Sequence, residues 1–338
     1  MIKVLVSDKL PQEGLAILER EEGVEVEVHT GLPPEELKKI IGQYDGIIIR
    51  SGTKLTADVL GAAENLTAVA RAGVGVDNVD VPTATQLGIV VMNTPDANTI
   101  STAELAISLI MGLCRKIHPA AASLGRGEWD RKSFKGTQLA GKTLGVIGLG
   151  RIGSAVARRM LAFDMKVVGY DPFFAGSKEL EQKIGIVDNL DALYAQADIV
   201  TVHVPKTADT MGMIGAAAIA KMKKGVMLVN AARGGIIDEG ALLEGLESGH
   251  VAGAALDVYS KEPPEDRRLV EHPKVLAVPH LGAQTEEAQL LVAMEASQAL
   301  VDFLKGRGMA NAVNMPKSDH AKLRRFNLAL CCASSGAR

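Results

Sequence analysis

The feature that most limits what this chain can fold into is a recurring alternation: short, near-continuously apolar runs rich in β-branched residues, each followed by a stretch with helical spacing. In the first hundred residues the runs at 2–6, 24–28, 46–49, 66–70 and 89–92 are expected to be strands. A strand that is apolar on both faces must be covered on both, which points to parallel sheets wrapped by helices. Helix starts are legible as well. Thr56 precedes Ala57-Asp58-Val59-Leu60, and Pro33-Pro34-Glu35-Glu36 opens another helix, supplying a side-chain cap and a preset φ where a first turn needs them. Beyond the loop at 125–136 a second series has strands at 143–148, 166–170, 198–204, 226–230, 253–257 and 275–278. These are enough for a six-stranded doubly wound sheet of its own, so the expected class is α/β with two doubly wound parallel-sheet domains.

Between the two series, 99–114 reads as one helix and a bridge. A last helix at 285–305 ends at Gly306-Arg307-Gly308, and Val313 beyond it reads as a return strand. If that strand rejoins the first sheet, the first domain is discontinuous and the second is inserted into it. Residues 316–338 have no pattern that packs, and are expected to form a loosely held tail.

Composition narrows the functions. The chain of 338 residues has 37 Lys plus Arg against 40 Asp plus Glu, a net charge of -3, which gives no overall pull toward nucleic acid or an anionic membrane. Its 35 Gly stand against one Trp, four Tyr and six Phe, a balance that suits tight strand-to-helix turns better than base-stacking surfaces. Cys114, Cys331 and Cys332 make no disulfide framework and no metal-type spacing. A soluble, cytoplasmic, metal-free protein is expected, since neither a signal segment nor a long apolar span is visible.

One motif has the context that gives it meaning. Leu144-Gly145-Val146-Ile147 runs into Gly148-Leu149-Gly150-Arg151-Ile152-Gly153, and helical spacing follows. Gly148 serves the turn, Gly150 lets backbone approach a pyrophosphate, and Gly153 permits close helix packing, with the anion on the helix N-terminus. The next strand ends at Asp171, 18 residues beyond Gly153. An acid there bonds a ribose 2′-hydroxyl and repels a 2′-phosphate, so NAD is favoured over NADP.

A nicotinamide enzyme acting on an alcohol needs a group for the hydroxyl proton and a cation for the substrate. Of seven histidines, His203 and His280 stand at carboxyl ends of expected strands, the edge where open α/β sheets bind ligands. His280 is the first candidate for the base and His203 the runner-up, as a structural or cofactor-side residue. Glu262, in Tyr259-Ser260-Lys261-Glu262-Pro263-Pro264, is a candidate partner that would raise the imidazole pKa and fix its tautomer. Arg233 follows an apolar strand and precedes Gly234-Gly235, a position from which a guanidinium can fork onto a carboxylate.

As a set and in order, these residues resemble the D-2-hydroxyacid dehydrogenase family. The likeness runs from about Ile2 to Asn314 and includes Arg71-Ala72-Gly73-Val74-Gly75-Val76-Asp77, Met92-Asn93-Thr94-Pro95 and Ala255-Leu256-Asp257-Val258. It implies a flavodoxin-like substrate domain from 1–98 and 284–315, with an inserted Rossmann NAD domain at 99–283. It also implies roles: Arg233 holds the substrate carboxylate and polarises the C2 oxygen, and Glu262 supports His280, which takes the hydroxyl proton. Val74 and Gly75 help bind the carboxylate, while Arg50, Arg71 and nearby Lys54 match positions that hold a phosphate. On the cofactor, Arg151 and Ile152 face the pyrophosphate and Val204 the adenine. Val74, Ala231, Ala232 and Asp257, together with His280, Gly282 and Ala283, complete the implied cofactor set. A homodimer through the NAD domain, with residues 129–134 in its contact, is implied too. Relatives often carry serine at Gln284.

The activity implied is NAD-dependent oxidation of 3-phospho-D-glycerate to 3-phosphohydroxypyruvate, the first step of serine biosynthesis. An alternative inside the family is a glyoxylate or hydroxypyruvate reductase. Arg50 and Arg71 argue against it, because cations clustered on one pocket repel without an anion. From another class, an NAD-sensing corepressor-like binding protein is the alternative, against which stands the lack of any long partner-binding extension. A third reading is an inactive chain with a damaged end. Many relatives continue beyond the position of Pro316 into further domains, so feedback by serine is not expected here.

Overall fold

A computed structural model describes residues 1–174 and 178–315, without the Lys178 side chain. The tail expected at 316–338 lies outside the described residues. The chain divides into two units, one made of Met1–Asn98 with the chain from Thr285, the other of Thr99–Gln284.

In the first unit β1 (Ile2–Val6), β2 (Val24–Val28), β3 (Gly46–Ile49), β4 (Ala68–Arg71) and β5 (Val90–Met92) form a parallel sheet of order β2-β1-β3-β4-β5. This is the flavodoxin-like arrangement, whose switch point lies between β1 and β3. Two-residue periodicity sends Val4, Val6, Ile48, Ala68 and Ala70 to one face, packed with Val292, Ala296 and Leu300 of the helix Glu286–Leu304. Leu5, Ile47, Ile49 and Val69 go to the other, packed with Leu37, Val59 and Leu60. Both faces are dry, which is why the strands read as continuous apolar runs. Thr56 caps its helix by accepting from the Val59 N–H.

The second unit holds β6 (Thr143–Ile147), β7 (Lys166–Tyr170), β8 (Gly185–Ile186), β9 (Ile199–Val202), β10 (Val226–Asn230), β11 (Val251–Leu256) and β12 (Val275–Ala277). Their order is β12-β11-β10-β9-β6-β7-β8, the doubly wound dinucleotide arrangement with one strand added beyond β11. Thr99–Cys114 is a single helix, packed with Val146, Val229 and Ala255 through Ala103, Ala106 and Ile110.

Two sequence expectations are corrected. The second sheet has seven strands, not six, because β8 is a two-residue, solvent-exposed edge with no apolar run to announce it. Val313 is not in a return strand: the chain reaches the first sheet through one antiparallel bridge, Ala312 to Met92, with the Val313 N–H donating to the Val91 carbonyl. The Asn314 side chain finishes the closure, its Oδ1 accepting from Val91 N–H and its Nδ2 donating to the Ile89 carbonyl.

Candidate active site and dinucleotide cleft

Register puts the chemistry on one edge. Ile147, Val202, Asn230, Leu256 and Ala277 are aligned across five neighbouring strands. The residues that follow them, Gly148, His203, Ala231, Asp257 and Val278, therefore line the carboxyl edge of the second sheet, where helix N-termini and switch points gather ligands in this architecture.

The glycine turn is built for close approach. Gly148 has φ of +91°, and a Cβ there would run into the His203 carbonyl across the switch point. A Cβ on Gly153 would collide with the Gly148 carbonyl, whereas the space over Gly150 is open. Helix Arg151–Leu161 begins directly on this turn, its N-terminus capped by no side chain. Asp171 stands beside it, accepting from the Leu149 and Phe173 N–H groups, both at 2.9 Å. The carboxylate is thus tied to the turn, and Val204, two residues past the end of β9, packs against Gly148. An uncovered Gly150, a helix N-terminus with no side-chain cap and an anchored acid at the end of β7 fit a dinucleotide pyrophosphate and ribose. Gly153→Ala is expected to cost about 1–3 kcal/mol through backbone overpacking, visible as a lower thermal midpoint and weaker NADH binding.

An imidazole–carboxylate pair lies at the other end of the same edge. His280 Nδ1 is 2.7 Å from Glu262 Oε2. An ionised carboxylate can only accept, so Nδ1 carries the hydrogen and Nε2 keeps a lone pair able to accept a proton. The Glu262 hydrogen bond is the main cause that raises the His280 pKa above its ordinary value; burial and Arg233 oppose it, while Asp257 adds to it. Burial pushes the Glu262 carboxyl up, but the His280 bond and charge, the Tyr259 N–H and Arg233 outweigh it and leave it below the ordinary range.

Local backbone holds both members. The Tyr259 N–H donates to Glu262 Oε1 at 3.1 Å, and the Tyr259 hydroxyl donates to the Val278 carbonyl at 2.9 Å, two residues before His280. His280 itself adopts φ of +55°. Buried Asp257 receives the Leu281 and Gly282 N–H groups, and burial raises its pKa. Ser101 and Thr102 donate to the Gly282 carbonyl, so the loop after His280 is tied on both sides. Ala283 follows, half-buried. Ser101, Thr102 and Tyr259 were absent from the sequence candidates. Their contacts go to main chain, and no spacing rule signals such contacts.

Arg233 is half-buried on the loop after β10, its guanidinium donating to the Ala232 carbonyl at 2.7 Å. Asn230 shapes that loop, donating to the Arg233 carbonyl and accepting from the Ala232 N–H. A Cβ on Gly234 would overlap the Tyr259 carbonyl, so glycine lets the Arg233 loop lie against the backbone that carries Glu262. His203, the runner-up, is held differently. Its Nε2 lies 3.0 Å from Thr201 Oγ1, its Nδ1 is buried with no hydrogen-bond partner, and burial pushes its pKa down to about 4. That is a neutral histidine across a wide pH range, unsuited to trade protons near neutrality.

In the first unit the arginines also sit at strand ends. Arg50 follows β3, and its N–H donates to Asp8 Oδ2 at 2.6 Å, beside the β1–β3 switch point. Its guanidinium donates to the Lys9 carbonyl at 3.1 Å and to Gln289; burial lowers its pKa. Asn78 clamps the loop by donating to the Arg50 and Thr53 carbonyls, both at 2.6 Å. Arg71 ends β4, and its guanidinium fills the space a side chain on Gly73 would need. The Val74 carbonyl is held by Asn93 at 2.6 Å, Gly75 is half-buried, and Lys54 is exposed.

A family model for the NAD binding domain of D-isomer specific 2-hydroxyacid dehydrogenases matches residues 107–282. The chain is 50% identical over 317 residues to a D-3-phosphoglycerate dehydrogenase of Archaeoglobus fulgidus, covering 93% of this chain and 60% of that protein. It therefore spans about 60% of the length of the curated relatives it matches. Among solved structures, the TT0316 protein of Thermus thermophilus is 36% identical with a TM-score of 0.84, over 92% of this chain and 100% of that one. A glyoxylate reductase from Paecilomyes thermophila is 31% identical with a TM-score of 0.85, over 92% and 98%. The chain belongs to the D-isomer specific 2-hydroxyacid dehydrogenases.

Proposed function

We propose that the chain oxidises 3-phospho-D-glycerate to 3-phosphohydroxypyruvate with NAD. The observation that carries the reaction type is the 2.7 Å contact of His280 with Glu262 at the carboxyl edge of a dinucleotide-type sheet. Arg50 and Arg71, both at strand ends of the first unit, support a phosphorylated substrate, as does the likeness to curated D-3-phosphoglycerate dehydrogenases. On this reading 1–98 with 284–315 binds substrate and 99–283 binds NAD. Arg233 forks onto the substrate carboxylate and draws charge toward the C2 oxygen. His280 Nε2 takes the C2 hydroxyl proton, and Glu262 steadies the imidazolium that results. Bound NAD supplies the acceptor for the C2 hydride. Backbone N–H groups at Gly150, Arg151 and Ile152 would hold its pyrophosphate, Asp171 its ribose, and Val204 its adenine. Ala231, Ala232 and Asp257, with Gly282 and Ala283, would line the nicotinamide end.

The decisive assay is NADH production with 3-phosphoglycerate beside lactate, glycerate and 2-hydroxyglutarate, together with glyoxylate reduction. Preference for the phosphorylated acid supports the proposal, and equal rates with unphosphorylated acids reject it. Asp171→Ala should raise the apparent Kd for NADH by about tenfold, since a charge-assisted hydrogen bond is lost, while relaxing the exclusion of NADPH; fluorescence titration measures both.

A homodimer through the NAD unit is part of the proposal, with Trp129 on the 129–134 loop 82% exposed and available to a second copy. Light scattering of wild type against Trp129→Ala tests it. We also assign the protein to the cytoplasm. Cys114 is buried and burial raises its pKa to about 11. No described helix is long and apolar enough to cross a membrane, and the described residues hold no metal-type cluster.

A further inference from the structure

An open cavity of about 490 Å³ in the second unit borders the His280–Glu262 pair. Pro263, Pro264, Val270, Ala277 and Val278 make its apolar walls, and Arg267 joins Glu262 and His280 as its polar lining. No wall comes from the Arg233 loop, the glycine turn or Asp257. The cavity therefore meets the pair without including Arg233, the glycine turn or Asp257.

We propose that this cavity is a second ligand site, which takes a small monocarboxylic acid with a flat apolar body and alters turnover through the pair it touches. Its volume falls in the range of sites that enclose small molecules, roughly 300–1,000 Å³. Its walls are preformed, because two consecutive prolines make one side and the Tyr259 hydroxyl bond to the Val278 carbonyl fixes another. The anion anchor is Arg267. Its guanidinium meets Glu271 at 2.6 Å, with the two side chains 63% and 62% exposed, and such a pair holds weakly in water. The guanidinium can exchange that partner for a ligand carboxylate with little loss. Glu262 is committed at both oxygens, to Tyr259 N–H and to His280. Its charge repels a second carboxylate, which leaves one acid group at the Arg267 end and an apolar body along the walls. That body would replace water beside a pair whose side chains are 48% and 37% exposed. Desolvation there changes the proton transfer while Arg233 and the glycine turn stay free.

The test uses the full chain with phenylacetate as probe and phenylethylamine as its cationic counterpart. Saturation-transfer NMR should detect saturable binding of phenylacetate and none of the amine. Arg267→Ala should weaken phenylacetate about tenfold, the loss of one charge-assisted anchor. Val270→Trp fills the cavity and should abolish phenylacetate binding in the same NMR measurement. In steady state, phenylacetate should change kcat and leave the KM values for acid substrate and NAD unmoved. Competition with either would put the probe in the cleft and overturn the proposal. Equal binding of the amine, binding indifferent to both variants, or no saturable binding would overturn it too. The NMR measurements do not depend on which acid the enzyme oxidises, so failure of the phosphoglycerate assignment leaves this result readable by itself.

Discussion

His280→Ala is expected to lower kcat for oxidation by about 10²- to 10⁴-fold, the usual contribution of a positioned general base, while KM for the acid changes little. The split follows from geometry, since Nδ1 is engaged by Glu262 and only Nε2 is left for a reacting hydroxyl. The companion result is a pH profile. Oxidation needs neutral imidazole, and the Glu262 hydrogen bond raises the His280 pKa above 6.5. Activity should therefore fall as pH drops through that raised value and recover above it. Glu262→Gln removes the largest raising cause, leaving burial and Arg233 to lower the pKa and Asp257 alone to raise it. The acid limb of kcat/KM should move to lower pH, with a reduced plateau because the imidazolium has lost its counter-charge. An unmoved limb would separate Glu262 from the titrating group.

How much of this was legible beforehand depends on what kind of contact each residue makes. The buried strands were readable because both faces are dry, so Val4, Leu5 and Val6 are all apolar although they point in alternate directions. β8 was not, since a two-residue exposed edge needs no apolar pattern. Thr56 was legible as a cap because the reach from an N-cap oxygen to the third helical N–H is set by helix geometry. In the site, the glycine turn and Asp171 were legible as a spaced motif. Arg233, Glu262 and His280 were legible only as strand-end polar residues until family resemblance joined them. Tyr259 and Asp257 show why: their work is done on main-chain groups at 278, 281 and 282, and any sequence that folds the same way supplies those groups. Nor did spacing reveal that Gly234 is needed for contact with the Tyr259 backbone, because the two loops are brought together by neighbouring strands β10 and β11.

Arg233→Ala is expected to lower kcat/KM by about 10²- to 10³-fold, as removal of a donor aimed at developing charge on a reacting oxygen commonly does. The loss should fall on both parameters: KM rises because the carboxylate fork is gone, and kcat falls because the C2 oxygen is no longer polarised. Arg233→Lys separates these roles. Lysine keeps the charge but presents a point donor in place of a planar fork, so it should recover part of the affinity and little of the turnover. The fold is not expected to suffer in either variant. The loop is shaped by Asn230, through bonds to the Arg233 carbonyl and the Ala232 N–H that the substitution leaves in place. The pH profile supplies an independent readout. Arg233 lowers the His280 pKa, so its removal should shift the acid limb upward, opposite in sign to Glu262→Gln. A pair of variants that move the same limb in opposite directions would tie both residues to one imidazole. A shift of the same sign in both would mean that the limb belongs to some other group.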